Sequence, residues 1–546
     1  MNKVNWIADY MVTALGCGTD INARAILDYK SGIKPHNIGE NTFIAAPINW
    51  AEIPISQGYT KLESLMIFAI ENLKKQVNQD LSNAQIIFST TKGNIDLLAS
   101  ADALSEDVFL NKMAENISRA VDIKTNPIVI SNACISGISA LIMASRLIQE
   151  GKSKDVIVVG ADLLSQFVVT GFQAFKSVSP NSCIPYDEKR DGLSMGEACG
   201  AVLLSSENST NSSVSILSGA ITNDANHISG PSRTGDGLFY AIDKAINESG
   251  ITKEDISFIS AHGTATVYND EMESKAINWA ELNNVLTNSL KPYFGHTLGA
   301  CGVIESILSV WQLKNNIVFG TKGFQNLGTP MPLNINAKHS EIKNGNSCLK
   351  IASGFGGCNA AMILSKATAN TNLSIEDGEI ISVSSITLKG ENDFSERIRQ
   401  EYKELGSANM KFFKMDNLCK LGYVCAEKLL AGQTLIDDKT RVAIILSNKS
   451  SSLDTDIKHQ ELLNSSQPAS PAIFVYTLAN IVSGEICIKN KIQGENTFIV
   501  QQKEGGFSFE YAKSLIKRGT ADLVIYGWCD LLNEKYNCKL ELLKRK

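Results

Sequence analysis

The chain has 546 residues, of which 44% are hydrophobic and 20% charged, a composition typical of a large globular protein and not of a disordered or fibrous one. Its 51 Lys and Arg against 57 Asp and Glu give a formal net charge of −6, so no overall positive field attracts nucleic acid or an anionic membrane. No signal peptide and no run of about 18 apolar residues is present, which predicts a cytoplasmic protein without a membrane span. The twelve cysteines form no CxxC pair, so we expect neither a metal site nor a disulfide framework.

Short β-branched segments alternate with longer amphipathic ones along the chain. A predicted strand at 127–131 precedes a predicted helix at 138–151 and a second strand at 155–164. Later, a strand at 256–264 precedes a helix at 272–282. This alternation is typical of βαβ units around a largely parallel, buried sheet, so the predicted fold class is α/β.

Two polar segments divide the sequence into three predicted units. The Ser- and Asn-rich segment 205–214 separates a first half from a second, and the polar segment 366–379 has the composition of a linker. The predicted units are therefore 1–208, 209–367 and 372–546.

The third unit repeats a pattern of the first. Residues 127–164 and 496–532 share the order strand, small-residue turn, helix, glycine, strand. Counted back from the glycine that follows each helix, Gln502 takes the place of Cys134, with a register that holds to within a residue or two. The third unit therefore has no thiol at its turn.

Cys134 lies at the predicted strand-to-helix turn, in the sequence SNACISGISAL. At this position a thiol is expected to be exposed at the end of the sheet and to lie at the positive end of the helix dipole, where the thiolate is favoured. The alternative is a small, buried cysteine that fills space among Ala, Ser and Gly.

His262 and His296 each lie beside a glycine where a loop leaves a predicted strand. Two imidazoles near one thiol suit thioester chemistry, because one can orient or activate the thiol and both can donate to a carbonyl oxygen that gains charge. His227 is left open, and the histidines in polar settings are interpreted as structural residues: His36, His339 and His459.

The sequence SGFGGCNAAMIL at 353–364 predicts a glycine turn. Its backbone N–H groups, together with that of Cys134, could form an oxyanion hole, in which one donor typically contributes about 2.7–4 kcal/mol of transition-state stabilisation. The alternative is an ordinary tight turn.

Five motifs occur in order along residues 1–367: NACISG, IPYDEKRDGLSMGEACGAVLL, AHGTATVYNDEMESKAI, KPYFGHTLGA and GFGGCNA. Together they resemble the β-ketoacyl-[acyl carrier protein] synthases, the condensing enzymes of fatty acid and polyketide synthesis. His296 within its motif favours the elongating Cys-His-His branch over the Cys-His-Asn branch. The resemblance implies a duplicated, five-layered thiolase-type fold and decarboxylative Claisen condensation with malonyl carrier protein.

The resemblance also implies residue roles. Cys134 takes the acyl chain as a thioester, while His262 and His296 assist decarboxylation and stabilise the enolate. Further positions match supporting residues of the family: Lys291 and Glu305 as an ion pair, Asp270 and Glu273 as acids that support a loop, Thr264 and Thr266 as hydroxyls for the phosphopantetheine arm, Phe355 as a gate, and Gly356 and Gly357 in the oxyanion loop. For Lys291 and Glu305 the alternative is an ordinary solvated pair.

The implied partner is an acyl carrier protein, whose phosphopantetheine arm delivers acyl and malonyl groups, and no bound cofactor is expected. Lys61 matches the family's carrier-docking helix, although a lysine there is usually only a solvated charge. The resemblance also implies a homodimer, or a heterodimer with a ketosynthase-like subunit.

The chain departs from the family pattern at Cys358, which replaces a common threonine, and in the loop IASGFGG, so substrate preference is expected to shift. Residues 372–546 resemble an N-terminal half without its cysteine, and we interpret them as an in-chain pseudo-partner. Two alternatives stay open. The first is a non-catalytic chain-length partner of another ketosynthase, and the second is a degradative thiolase with Cys358 as its second cysteine, which the setting of Cys358 disfavours.

Overall fold

The computed structural model describes residues 1–38, 41–99, 104–207, 213–367, 375–376, 378–406 and 409–546. The predicted boundary between residues 208 and 209 lies outside this part of the chain, as does most of the segment 366–379. The start of the predicted third unit, at residues 372–374, also lies outside it.

A mixed sheet in the order β6-β5-β7-β9-β1 forms the first half; β5, β6 and β7 are parallel, and β9 runs antiparallel to β7 and β1. The strands are β1 (Asn5–Thr13), β2 (Gly16–Cys17), β3 (Lys34–Ile38), β4 (Asn41–Ala46), β5 (Gln85–Ser89), β6 (Ile128–Ile130), β7 (Asp155–Asp162), β8 (Met195–Gly196) and β9 (Ala198–Ser205). The helices are α1 (Thr19–Leu27), α2 (Lys61–Lys74), α3 (Leu110–Ala120), α4 (Ser136–Gln149) and α5 (Gln166–Ala174).

The second half has a sheet in the order β14-β12-β11-β16-β17-β10, with β17 antiparallel to both of its neighbours. Its strands are β10 (Ser215–Asn223), β11 (Ile256–Ser260), β12 (Leu286–Asn288), β13 (Ile317–Val318), β14 (Asn334–Ile335), β15 (Ser340–Glu341), β16 (Ser347–Gly354) and β17 (Cys358–Ser365). Its helices are α6 (Asp236–Ser249), α7 (Val267–Trp279), α8 (Lys291–Phe294) and α9 (Cys301–Asn315).

The rest of the described chain, which we call the tail (residues 375–376, 378–406 and 409–546), has a third sheet in the order β20-β19-β21-β22-β18. Its strands are β18 (Ile380–Gly390), β19 (Val442–Asn448), β20 (Asn496–Val500), β21 (Leu523–Leu532) and β22 (Lys535–Arg545). Its helices are α10 (Phe394–Glu404), α11 (Asn417–Leu430), α12 (Leu453–Asn464), α13 (Pro471–Phe474), α14 (Ile481–Asn490) and α15 (Phe507–Lys517).

The α/β class is confirmed, but each sheet is mixed and not largely parallel. In the first sheet, β9 returns antiparallel beside β7 after α5 and β8, and in the second sheet β17 returns antiparallel to β16 through a short turn. The predicted strand at 127–131 and helix at 138–151 match β6 and α4, whereas the predicted helix at 272–282 begins earlier, as α7.

Helices α4 and α9 form the centre of the molecule. Helix α4 contacts β5 and β7 of the first sheet as well as β10 and β17 of the second, and every one of its residues is buried. The two helices meet at glycines: a Cβ added at Gly137 would lie 2.8 Å from the Val303 nitrogen, and one at Gly302 would lie 2.3 Å from the Ile138 nitrogen. Because both helices are largely enclosed, most of their residues are apolar or small, and the charged residues Arg146 of α4 and Glu305 of α9 are buried in ion pairs.

The tail sheet repeats the strand order and directions of the first sheet. The two sheets also join, because β20 pairs antiparallel with β6 through Ile499 opposite Ile130 and Val500 opposite Val129. The Ser131 nitrogen then donates to the Phe498 oxygen at 3.1 Å. The edge of β6 is therefore covered by the chain's own tail.

Among the described residues, no single helix has both the length and the apolar composition needed to cross a membrane. One bent pair, Pro471–Thr477 with Ile481–Asn490, passes that test by length and composition when the two are taken together.

Candidate active site

Cys134 lies in a short 3₁₀ turn, Ala133–Ile135, between β6 and α4. Ala133 has a φ of 47°, a left-handed conformation that an alanine rarely adopts and that makes the turn sharp. The Ser136 hydroxyl braces the turn: it accepts from the Asn132 nitrogen at 2.8 Å and donates to the Ala133 oxygen at 2.6 Å. This local structure aims the thiol at the loops of the second half.

The expected exposure of Cys134 is wrong, since the residue is only 8% exposed. Burial raises the pKa of its thiol to about 12, and the positive charge of Lys291 only partly opposes the rise. The resting nucleophile is therefore a neutral thiol, despite its position at the start of α4. Burial therefore works against the thiolate that the helix dipole was expected to favour.

His296 and His262 converge on this thiol. The His296 Nε2 lies 3.2 Å from the Cys134 Sγ, and the two imidazole rings are 5.2 Å apart, centre to centre. Burial, followed by the charge of Lys291, holds the pKa of both histidines well below its usual value. Neutral imidazoles can accept a proton from the thiol or donate one hydrogen bond each.

One ligand atom from each of Cys134, His262 and His296 lies within 4.8 Å of the other two. Sulfur and imidazole donors are of the kind that zinc binds, so these residues could hold a metal. The expectation of no metal stays a prediction.

A buried ion network lies behind His262. The Lys291 Nζ contacts one Glu305 oxygen at 2.7 Å and donates to the His262 oxygen at 2.5 Å, while the Lys350 Nζ contacts the other Glu305 oxygen at 2.7 Å. Burial opposes the charge on Lys291, but the ion pair with Glu305 more than offsets it and raises the pKa of this lysine. Since all three side chains are almost fully buried, the solvated-pair alternative is wrong.

Two carboxylates support the loop after β11. Glu273 accepts hydrogen bonds from the His262 and Gly263 nitrogens, both at 2.7 Å, and Asp270 accepts from the Thr264 nitrogen at 3.1 Å. Burial, then the neighbouring Glu273, raises the pKa of Asp270 to about 7. The predicted supporting positions are therefore brought to the His262 loop.

These groups meet in a cavity of about 270 Å³. The hydroxyls of Thr264 and Thr266 are 2.8 Å apart and line it, as does Tyr268, which is 75% exposed. The remaining lining residues are Cys134, Phe172, Phe175, Ser177, Leu193, Asp224, Ser229, Gly230, Pro231, His262, Asn269, His296, Ser353, Gly354, Phe355 and Asn359.

The predicted glycine turn lies against the nucleophile. The Phe355 N–H faces the Cys134 thiol, and Gly354 is so close that an added Cβ would lie 3.1 Å from the Cys134 nitrogen. The Phe355 ring stacks on Phe172, with centroids 5.9 Å apart. Gly356 and Gly357 have φ values of 90° and 71°, which favour glycine.

Lys61 begins α2 at the surface, with its Nζ 5.5 Å from the centre of the Trp50 ring. It is not one of the described residues that line the cavity, so the structure does not bring it together with the other candidates.

The remaining histidines lie outside the cavity lining and make local contacts. His36 packs edge-on against Phe43, His339 stacks on Tyr29 and accepts from the Gly320 nitrogen, and the His227 Nδ1 accepts from two backbone nitrogens. His459 is fully buried and not in a polar surface setting, with its Nε2 3.2 Å from the Phe167 oxygen.

Sequence reasoning missed Lys350 and Asp162. Asp162 accepts from the Gly299 nitrogen and the Thr90 hydroxyl, both at 2.7 Å, and so holds the turn that follows His296. Burial raises the pKa of Asp162 to about 6. An acid that ends a buried apolar strand is the signal that could have identified it.

Comparison with known proteins agrees with the family that the sequence motifs resemble. Residues 81–209 match the family description "Beta-ketoacyl synthase, N-terminal domain", and residues 214–325 match "Beta-ketoacyl synthase, C-terminal domain". The chain is 26% identical over 426 residues to 3-oxoacyl-[acyl-carrier-protein] synthase 2 of Rhizobium meliloti (strain 1021), covering 68% of this chain and all of that protein. A protein of the same name from Staphylococcus aureus (strain COL) is 30% identical over 251 residues, 43% of this chain and 61% of the relative.

Two solved structures extend the comparison. The ketosynthase ApeO, in complex with its chain length factor ApeC from Xenorhabdus doucetiae, is 26% identical with a TM-score of 0.61, covering 67% of this chain and 98% of that one. A structure titled PfaC keto synthase–chain length factor is 14% identical with a TM-score of 0.79, covering all of this chain and 78% of that one. At that identity the second likeness concerns the fold alone, and it includes the tail.

Proposed function

Because this chain belongs, through residues 81–325, to the β-ketoacyl synthase family of condensing acyltransferases, we propose that it joins an acyl group on Cys134 to a malonyl group delivered by an acyl carrier protein. The observation that carries the proposal is the 3.2 Å contact between the Cys134 thiol and a neutral His296, in a cavity shared with His262. The names of the relatives supply the carrier protein as the source of substrate.

In the first half-reaction, the His296 Nε2 accepts the thiol proton as the Cys134 sulfur attacks the acyl thioester. The developing oxyanion accepts hydrogen bonds from the Cys134 and Phe355 nitrogens. The carrier thiol leaves with the proton, and the acyl group remains on Cys134. Because the pKa of the thiol is high, proton transfer to His296 must accompany the attack.

In the second half-reaction, loss of carbon dioxide from the malonyl group leaves an enolate at the carrier thioester. The neutral His262 ring donates a hydrogen bond to the enolate oxygen, and His296 does so in the tautomer that carries its proton on Nε2, the atom that faces the thiol. Two lysines around the single Glu305 give the network an excess of positive charge, which favours the enolate. Its carbon attacks the acyl carbonyl and the bond to the Cys134 sulfur breaks. The leaving thiolate then takes a proton from solvent, since decarboxylative condensation consumes one proton overall.

The substrate path follows from the cavity lining. Phe172, Phe175 and Leu193 form an apolar wall suited to an acyl chain, while Thr264 and Thr266 offer hydroxyls to the amide groups of a phosphopantetheine arm. Carrier docking at Lys61 is a separate part of this proposal, because Lys61 does not line the cavity.

The tail is proposed to act as an in-chain partner of residues 1–367, which we call the condensing unit. Its sheet order, its pairing with β6 and the position of Phe474 support this role, because the Phe474 ring lies 5.5 Å from that of Phe172 and 6.2 Å from that of Phe175. Gln502 lies at the turn after β20 and accepts a hydrogen bond from Asn111 of α3. Through Phe474, the tail contacts two residues of the proposed acyl wall, Phe172 and Phe175.

The second candidate function is a non-catalytic chain-length partner of a separate synthase, and the likeness to ketosynthase–chain length factor structures is the observation that favours it. The presence of Cys134, both histidines and Lys291 in one cavity network argues against it.

The deciding experiment is intact-protein mass spectrometry of the wild type and Cys134→Ala with a panel of acyl carrier proteins, followed by product analysis with malonyl carrier protein. We expect an acyl adduct that is absent from Cys134→Ala, together with extended product from the wild type. No adduct and no product across the panel would favour the partner function, and the synthase that it binds would then be sought.

A further inference from the structure

Helix α14 of the tail packs directly against the turn 355–357 between β16 and β17, which we call the gate turn. Glycines on both sides make the approach possible: a Cβ added at Gly484 would lie 2.8 Å from the Gly356 oxygen. A Cβ added at Gly356 would lie 2.6 Å from the Asn480 Nδ2. No larger residue fits at either position without a shift of backbone or side chain.

Asn480 makes the polar contact across this junction. Its Nδ2 donates to the Phe355 oxygen at 2.8 Å, and the residue is 1% exposed. A backbone carbonyl only accepts, so the amide nitrogen must be the atom that faces it. Asn480 is also the N-cap of α14, yet its side chain makes no capping hydrogen bond within the described chain. The amide serves the gate turn instead of its own helix.

The peptide between Phe355 and Gly356 is held on both sides. Its oxygen accepts from the Asn480 Nδ2 and from the Cys358 thiol, the latter at 3.3 Å, and its N–H donates to the Ile228 oxygen at 2.6 Å. The next carbonyl, that of Gly356, accepts from the Asn223 Nδ2 at 2.8 Å. Of these four partners, Asn480 alone comes from the tail.

We infer that Asn480 is a positioning residue for the reaction, which sets the Phe355 backbone so that its N–H faces the oxyanion and its ring closes over Cys134. The inference rests on the proposed function, in which the Phe355 N–H stabilises the oxyanion. Rotation about the Phe355 Cα moves the N–H and the ring together relative to a fixed carbonyl. Without Asn480, the Phe355 oxygen keeps only the weaker Cys358 thiol as a side-chain donor, so the N–H and the ring are held less firmly, and both are affected together.

The test compares two rates in Asn480→Ala and Asn480→Asp, the latter a variant of the same shape whose carboxylate cannot donate. Single-turnover acylation of Cys134 from an acyl carrier protein is expected to slow about tenfold, because an oxyanion donor is misplaced. Alkylation of Cys134 by iodoacetamide is expected to speed up several-fold, because the ring no longer covers the thiol. General destabilisation would also expose the buried thiol and slow acylation, so chemical denaturation of each variant is measured as well. Positioning requires that both rates change in Asn480 variants whose denaturation midpoint equals that of Asn490→Ala.

Asn490→Ala is the matched control. Asn490 lies at the other end of α14, and its Nδ2 donates to Glu427 at 3.0 Å and to the Ile486 oxygen at 3.2 Å, both within the tail. Its two rates should equal those of the wild type. The inference is overturned if both Asn480 variants stay within twofold of wild type in both rates, or if Asn490→Ala changes them equally.

The two assays also separate this inference from the proposed function. Alkylation needs no carrier protein. Faster alkylation in the Asn480 variants would therefore support the positioning of Phe355 by Asn480 even if no carrier protein acylates the wild type. In that case the proposed function fails while the positioning of the gate stands.

Discussion

At the scale of single residues, the site is organised by burial. Removal from water raises the pKa of Cys134 to about 12 and holds the pKa of His262 and His296 well below its ordinary value. The three groups are therefore neutral together near pH 7, and no thiolate–imidazolium pair exists before substrate binds. Behind His262, charge is concentrated in the network of Lys291, Lys350 and Glu305.

This neutral state predicts a distinctive pH dependence. The rate of Cys134 alkylation by iodoacetamide should rise about tenfold per pH unit from about pH 7 to about pH 9.5, because only the thiolate reacts and its pKa lies above this range. The measurement is adduct formation by intact-protein mass spectrometry, with Cys134→Ala as the control. A plateau near neutral pH would instead show a thiolate–imidazolium pair.

The buried network predicts a loss of stability. Glu305→Gln leaves the two lysines without a counter-charge, so the free energy of unfolding should fall by about 3–5 kcal/mol. Chemical denaturation measures it. The matched control is Glu281→Gln, whose pair with Lys253 is exposed and screened by solvent, so its loss should leave the free energy of unfolding nearly unchanged. Equal effects of the two changes would contradict a buried network.

The residues of this network also show what sequence can provide. Cys134, His262 and His296 lie in glycine-rich turns that follow apolar strands, and such turns stand out in the sequence. Lys350 lies inside a strand, and its partner Glu305 lies in a helix that begins 49 residues earlier, at Cys301. Only the fold brings the two together, so no local pattern could have paired them.

At the scale of elements, the junction of α4 and α9 places the nucleophile turn against the His296 turn. The junction needs glycines because the two helix backbones lie close together, and not because the chain turns there. A Cβ added at Gly302 would lie 2.3 Å from the Ile138 nitrogen. The pattern of small and apolar residues at 138–151 predicted a helix. It did not predict that this helix would be buried on all sides.

Gly302→Ala should therefore destabilise the protein by about 3 kcal/mol, because the clash is with backbone and cannot be relieved by a side-chain rotation. Thermal and denaturant unfolding measure the change. Gly230→Ala is the control, since its Cβ would meet only the His227 Nδ1, at 3.7 Å. A Gly302→Ala variant as stable as this control would place the helices further apart than described.

At the scale of the whole molecule, the tail is joined closely to the two halves that precede it. Buried polar contacts join the two: Lys92 with Asp456 at 2.7 Å, Arg146 with Glu495 at 2.7 Å, and Asn132 with the Asn496 oxygen and the Phe498 nitrogen, each at 2.8 Å. The repeat between 127–164 and 496–532 was visible in the sequence. The pairing of β6 with β20 was not, because strand partners far apart in sequence leave no periodic signal.

Phe474→Ala is expected to lengthen the products by about one two-carbon unit, because the lost ring supports Phe172 and Phe175 at the proposed acyl wall. Mass spectrometry of extended products measures it. Phe413→Ala, at a tail phenylalanine that is 59% exposed, is the control and should leave the product profile unchanged. An unchanged profile in Phe474→Ala would remove the tail from the control of chain length.

A chain that ends at residue 367 should lose solubility or self-associate, because the edge of β6 and the buried Lys92 and Arg146 would lose their partners. Size-exclusion chromatography with light scattering measures the outcome. A soluble 1–367 with the oligomeric state and product length of the full chain would contradict the in-chain partner.

The hydrogen bonds of Asn132 have a consequence for synthesis and supply. Asn132 lies two residues before the nucleophile, and its amide is tied to β20, which begins at residue 496 of 546. During translation, this turn can be completed only after nine-tenths of the chain has left the ribosome. Once made, the junction is independent of protein concentration, because both sides belong to one molecule. A cell that makes this enzyme therefore has no stoichiometry to balance, and dilution cannot separate the nucleophile from its support.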